Sequence, residues 1–185
     1  MSERGEGGAG QSGARGWWQW LGVAAAVVVA DQLSKLMVLS SLSVGARYPV
    51  TSFFSIILTF NAGAAFSFLG DAAGWQRYLF SAFAIGAAVL IVWLLRRGGE
   101  RLYCCGLALI LGGALGNLWD RATIGKVVDF LLLHDYLPGH PAAVAWLDPF
   151  PAFNVADSAI TVGAALLIID SLRRRRPGQG EVSGA

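Results

Sequence analysis

The sequence predicts a mainly α-helical integral membrane protein: four transmembrane helices, a small extracytoplasmic β platform and a short interfacial helix. Three observations lead there. Of 185 residues, 55% are hydrophobic and only 14% charged, and the mean hydropathy is +0.56. A chain so apolar cannot cover itself with polar surface. Its apolar residues gather in four runs, at about 17–39, 75–95, 102–118 and 153–172, each near the ~17–25 residues that cross a hydrocarbon core. The basic residues then choose a side. Arg4 and Arg15 precede the first run, Arg96, Arg97 and Arg101 join the second to the third, and Arg173 to Arg176 follow the fourth. The other two links are far poorer in Lys and Arg, so both termini are expected in the cytoplasm and both long links outside.

Residues 1–16 are rich in Gly, Ser and charge without apolar periodicity, and read as a disordered cytoplasmic tail. Trp17, Trp18 and Trp20 then form an interfacial aromatic belt at the entrance of the first run. That run is too long for a cleaved signal peptide. It continues through Asp31-Gln32-Leu33-Ser34-Lys35 without a cleavage region, so a retained helix is expected. In the first outer link, residues 48–60 are β-branched and aromatic, which suits strands. Residues 61–69 are apolar but too short to span, which suits an interfacial or re-entrant element. In the second outer link, residues 126–133 again favour a strand, and Pro138, Gly139, Pro141, Pro149 and Pro151 make the remainder turn-rich. Residues 173–185 form a basic cytoplasmic tail, leaving 17–172 as the membrane domain. Cys104 and Cys105 are adjacent and placed on the cytoplasmic side, where a free, reduced pair is expected. His134 and His140 lack an HExxH context. No metal and no cofactor is expected.

The chemistry points to two acids. Asp129 stands in Lys126-Val127-Val128-Asp129-Phe130, and Asp157 in Phe153-Asn154-Val155-Ala156-Asp157 at the mouth of an apolar run. Carboxylates at a membrane face are costly to keep ionised. The third helix runs outward and the fourth starts outside, so both acids reach the same depth. Two that meet can share one proton: the ionised member takes a proton from water while its protonated partner polarises a carbonyl. Neighbouring Asn and Gly residues could hold an extended peptide backbone without titrating.

Other readings stand beside this one. Acids in membranes also build proton relays, so a small proton-coupled transporter is the alternative. Transporters, however, place such groups near the midplane between repeated halves, and no repeat is evident. A scaffold would leave the cluster of Asn, Asp and Arg unexplained. Asp31 and Lys35 are spaced i, i+4, which suits a structural ion pair. For Asp120-Arg121 two readings stay open, a local ion pair at a helix end and an Arg facing substrate. The glycines from Gly112 to Gly116 suit close helix packing rather than a phosphate loop. Asp170, beside the terminal arginines, reads as a solvated counter-charge, and Asp71, Asp135 and Asp148 as exposed turn residues. Ser158 lacks a GxSxG context for a nucleophile.

Five blocks together resemble the bacterial lipoprotein signal peptidases (signal peptidase II). They are Asp31-Gln32-Leu33-Ser34-Lys35; Asn61-Ala62-Gly63-Ala64-Ala65-Phe66-Ser67; Gly112-Gly113 through Gly116-Asn117 to Asp120-Arg121; Val127-Val128-Asp129-Phe130; and Phe153-Asn154-Val155-Ala156-Asp157. The resemblance implies an aspartyl endopeptidase of the cell membrane, active at its outer face. It would cut diacylglyceryl-modified prolipoproteins just before the lipidated cysteine. It further implies Asp129 and Asp157 as catalytic acids, with Asn61, Gly63, Asn117, Arg121 and Asn154 lining the substrate site. Asp31, Lys35 and Asp120 would give structural support. Globomycin-type cyclic peptides would inhibit, membrane lipids would surround the protein, no nucleic acid would bind, and a monomer is expected.

Overall fold

A computed structural model describes residues 16–62, 75–134 and 150–174. Among these, the order is α1 (Trp17–Ser41), β1 (Arg47–Pro49), β2 (Phe54–Asn61), α2 (Gln76–Arg97), α3 (Arg101–Thr123), β3 (Val127–Leu133) and α4 (Val155–Arg174). All four helices are long and apolar enough to cross a membrane. They run several residues beyond some of the expected bounds, because the arginines that mark the ends continue the helices; α2 closes on Arg96 and Arg97, and Gly98 (φ 77°) turns the chain toward α3.

The third of these helices is the axis of the bundle and packs against each of the other three. Half of its apolar window is buried, against 11–22% for the others. Small residues let the backbones approach. A Cβ at Gly112 would lie 2.6 Å from the Ala24 carbonyl oxygen, and one at Gly106 2.9 Å from that of Gly163. Such contacts are how helices associate where lipid removes most of the hydrophobic drive. The outward faces carry exposed Leu33, Leu36 and Met37 on α1, Phe83, Val89 and Leu90 on α2, and Val162, Ile168 and Ile169 on α4, as a hydrocarbon surrounding requires.

The inward faces turn polar toward one end. On α1 the buried residues are Ala24, Asp31 and Lys35, at helical spacing and therefore on one face. On α3 the polar members are Asn117 and Asp120. That end is closed by a three-stranded antiparallel sheet of order β1-β2-β3. The second and third strands pair from Phe54 opposite Leu133 to Asn61 opposite Val127, with an irregularity between Ile56 and Thr59. Gly125 (φ 74°) makes the turn from α3 into β3. The free side of β3 is met by Phe153, which exchanges backbone hydrogen bonds with Leu131 (2.8 and 3.0 Å) just before α4 starts.

Several expectations change. The interfacial element expected over 61–69 begins with Asn61 as the last residue of β2, and from Gly63 onward it lies outside the described residues. So do Asp71, Asp135, Asp148, His140 and the tails 1–15 and 175–185. Asp170 is not solvated. It is 4% exposed, and Arg174 one turn later donates Nε to its Oδ2 at 2.7 Å. Cys104 and Cys105 are free thiols.

Candidate active site

Two layers of buried polar groups meet where α1, α3, β3 and the start of α4 converge. The deeper layer centres on Lys35, 2% exposed. Its ammonium contacts Asp31 Oδ2 and Asp120 Oδ2, both at 2.7 Å, and donates to Asn117 Oδ1 at 3.2 Å. A buried charge is tolerable only with such compensation. Asp31 also accepts the Ala156 N–H with Oδ1 at 2.9 Å, satisfying a donor left open in the first turn of α4. Asp120 accepts the Val128 N–H at 3.1 Å, which ties α3 to β3. Gln32 Nε2 bridges Asp31 (3.1 Å), Asp120 (2.9 Å) and the Gly116 carbonyl (3.2 Å).

The upper layer holds Asp129 and Asp157. Asn154 caps α4 by accepting the Asp157 N–H on its side-chain oxygen at 2.9 Å, while Asp157 Oδ2 accepts the Asn154 N–H at 3.2 Å. This reciprocal capping box makes the third helical residue of α4 an acid. The amide of Asn154 donates to Asp129 Oδ1 at 2.8 Å, to Asn117 Oδ1 at 3.1 Å and to the Val128 carbonyl at 3.2 Å. Asn117 Nδ2 donates to Asp157 Oδ1 at 2.8 Å. Asn61, at the end of β2, also hydrogen-bonds Asp129. The two acids therefore stand in one cluster, joined by asparagines 117 and 154.

Their surroundings differ. Asp129, in the middle of the buried half of β3, is 2% exposed. Burial, with the nearby Asp157 charge, pushes its carboxyl up to about 6 against the opposing pull of Asn61, Asn154 and Lys35. Asp157 is half-buried and forms the polar end of a cleft of about 670 Å³, whose other walls are Leu133, Phe150, Phe153, Ser158, Thr161 and Val162. That lining is apolar enough for hydrocarbon or an apolar peptide segment.

Arg121 and Asp120 do not pair with each other. Asp120 turns to Lys35, whereas the Arg121 guanidinium lies 5.3 Å from the Phe80 ring centroid and contacts the Asn117 carbonyl at 3.4 Å. Successive helical residues point about 100° apart, so adjacent side chains take different neighbours. Arg121 still feels the charges of Asp157, Asp120 and Asp129. Gly63 lies outside the described residues. Ser158 donates its hydroxyl to the Asn154 carbonyl at 2.9 Å.

Sequence reasoning gave no role of their own to Gln32 or Phe153. Gln32 was visible as a polar residue on the Asp31/Lys35 side of an apolar helix. Phe153 gave no signal, because it acts through its backbone.

The chain is similar to known proteins along most of its length. The family model described as Signal peptidase (SPase) II matches residues 23–173. A lipoprotein signal peptidase of Burkholderia ambifaria (strain MC40-6) is 53% identical over 158 residues, covering 85% of this chain and 89% of that protein. One of Burkholderia vietnamiensis (strain G4) is 54% identical over the same length, with the same coverage of both chains. Among solved structures, a bacterial membrane enzyme determined by the in meso method at 2.3 Å resolution superposes with a TM-score of 0.70. It is 27% identical, and the match covers 89% of this chain and 94% of that one.

Proposed function

The chain belongs to the signal peptidase II family, and from that premise we propose that it is an aspartyl endopeptidase whose catalytic acids are Asp129 and Asp157. Membership makes it a peptidase and a multi-pass bacterial membrane protein of the kind that removes signal peptides from prolipoproteins. The finer reading concerns how and where it cuts.

One observation carries that reading: the carboxyls of Asp129 and Asp157 are tied into a single hydrogen-bonded cluster by Asn117 and Asn154, beside an apolar cleft. A water placed between the acids loses a proton to the ionised one, and its oxygen adds to the scissile carbonyl carbon. The protonated acid gives its proton to the carbonyl oxygen, forming a gem-diol. In collapse, the first acid returns its proton to the leaving nitrogen while the second recovers one from a diol hydroxyl. Water is consumed, the peptide bond is broken, and the dyad ends as it began. No covalent intermediate is required.

The substrate is a prolipoprotein carrying diacylglycerol, cut before its lipidated cysteine. The acyl chains hold the scissile bond at a fixed depth, which replaces a search in three dimensions by lateral diffusion. Asn61, Gly63, Asn117, Arg121 and Asn154 line the backbone-binding surface, and Asp31, Lys35 and Asp120 hold it from beneath. By the charge of the links, both termini are cytoplasmic and the site faces outward. Residues 17–172 form the peptidase domain between two cytoplasmic tails, it acts as a monomer, and globomycin-type peptides compete for the cleft. Transport is set aside, since the polar groups crowd the sheet end of the bundle rather than its midplane.

The test is cleavage of a diacylated prolipoprotein by purified wild type, Asp129→Asn and Asp157→Asn. Loss of product in both variants, with unfolding curves close to wild type at mildly acidic pH, is the expected result. Normal turnover by either would remove that residue from the chemistry.

A further inference from the structure

We propose that Lys35 is a positioning residue which, acting through Asn117, commits Asp157 to the role of base and leaves the shared proton on Asp129. The inference rests on the aspartyl reading above and adds which acid does what.

The polarity of the hydrogen bonds decides it. An ammonium can only donate. Lys35 has three N–H bonds and three partners: Asp31, Asp120 and Asn117. The two carboxylates already neutralise it, so the third bond is the one aimed at the site. It compels Asn117 to present Oδ1 to Lys35, at 3.2 Å. The Nδ2 of Asn117 is thereby turned to Asp157 Oδ1, at 2.8 Å. Asn154 is oriented in the same way by a group that can only donate, the backbone N–H of Asp157, which claims its Oδ1 at 2.9 Å. Its Nδ2 must then face Asn117 Oδ1 and Asp129 Oδ1. No rotation of either carboxamide escapes this without setting acceptor against acceptor or donor against donor.

Asp157 therefore meets N–H donors at both oxygens: Asn117 Nδ2 at Oδ1 and the Asn154 backbone at Oδ2. That is the setting of a carboxylate. It also occupies the first turn of α4, where the helix dipole favours negative charge, and it opens onto the cleft. Asp129 also accepts from Asn154 and Asn61, but it lies in a strand away from any helix start, 2% exposed, with its neighbour already charged, so burial outweighs those bonds. When the pair keeps one proton, Asp129 is the acid that holds it. Among the described residues, the charged groups packed around the pair are Lys35 from α1, with its partners Asp31 and Asp120, and Arg121 from α3. Lys35 alone among them donates to a side-chain carboxamide of the bridge, whereas Arg121 donates to the Asn117 backbone carbonyl.

Asn117→Asp tests the polarity, because Asp matches Asn in shape. Its inner oxygen can still accept from Lys35 and Asn154, but its outer oxygen would confront Asp157 as an acceptor. Cleavage of a diacylated prolipoprotein should fall by ~10²-fold or more in kcat, with KM within ~3-fold. The loss should exceed that of Asn117→Leu, which removes the donor without opposing it. If Asn117 served only packing, the isosteric Asp would be the milder change, and that ordering overturns the proposal.

Lys35→Met is the second arm, scored per folded molecule. Released from Lys35, Asn117 can rotate and accept a hydrogen bond from protonated Asp157, so the acid limb of kcat/KM should move up by ~1 pH unit or more. A profile of unchanged shape in the surviving folded enzyme also overturns it. Asp129→Asn and Asp157→Asn run alongside. If they still cleave, the aspartyl reading itself fails; if they are inactive while Asn117→Asp is mild, only the present inference does.

Discussion

Asn154 donates its side-chain amide to Asp129 at 2.8 Å while its side-chain oxygen caps the Asp157 N–H at 2.9 Å, so one residue starts α4 and joins the two acids. These duties can be separated. Asn154→Asp keeps a good capping oxygen but sets an acceptor against Asp129. The new oxygen is also buried against Asn117 Oδ1 and the Val128 carbonyl, so thermal stability should fall by ~1–3 kcal/mol, whereas cleavage per folded molecule falls by ~10²-fold or more. Asn154→Ala should lose both, with ~1 kcal/mol from the cap alone. Melting curves and a prolipoprotein cleavage assay read the two effects.

Asp31→Asn should act mainly on stability. The amide oxygen can still accept the Ala156 N–H, but Lys35 is left with Asp120 as its one carboxylate partner. Breaking half of a buried ionic cluster costs ~3 kcal/mol. Yield and melting temperature should fall, while kcat and kcat/KM per folded molecule stay within ~5-fold of wild type. Full yield with abolished turnover would give Asp31 a part in the chemistry.

Helix proximity gives a third expectation. Gly112→Ala would place a methyl 2.6 Å from both the Ala24 carbonyl oxygen and the Val27 Cβ. Pushing α1 from α3 should cost ~1–3 kcal/mol. Gly86→Ala, with nothing within 4 Å of its added Cβ, should be tolerated. Detergent unfolding of the two variants separates a crowded contact from a general dislike of Ala.

Asp129 ties stability to pH. Its folded value of about 6 stands above the ordinary 3.8, with burial the larger cause and the Asp157 charge secondary. A raised carboxyl binds its proton more tightly in the folded state. Its penalty is therefore absent below the lower value, grows as pH rises between the two, and is constant above the higher. At neutral pH the penalty amounts to ~3 kcal/mol. Unfolding free energies of Asp129→Asn and wild type should converge near the acid end of that window and separate toward neutrality, with the variant the more stable. Curves that stay parallel would contradict the raised value. Activity should decline on the alkaline side as the same proton is lost.

Much of this architecture was legible in the chain. Apolar length alone marks the four spans, since the requirement to satisfy backbone groups in lipid leaves a helix as the local solution. The Asp31–Lys35 contact follows from i, i+4 spacing, and the same spacing could have found Asp170 with Arg174. The proximity of a run of arginines instead made Asp170 look solvated. What stayed hidden was long-range. The partner of Asp120 is a lysine on the first helix, while the neighbouring Arg121 was the tempting choice. The register of β2 on β3 depends on strands separated by a whole helical hairpin. Phe153 closes the sheet edge with main-chain atoms, which no residue type announces.

The capping box at Asn154 and Asp157 has a consequence for how the chain tolerates change in length. Helix α4 is indexed to the site by its first turn, while Phe153 is pinned to Leu131 immediately before it. A single residue inserted between Asn154 and Asp157 would rotate every later side chain of α4 by about 100°, swinging Gly163 from its seat on Gly106 and turning Asp170 toward lipid. Spacing inside this short stretch is thus under joint control of the bundle and the acids, and neither can drift without the other.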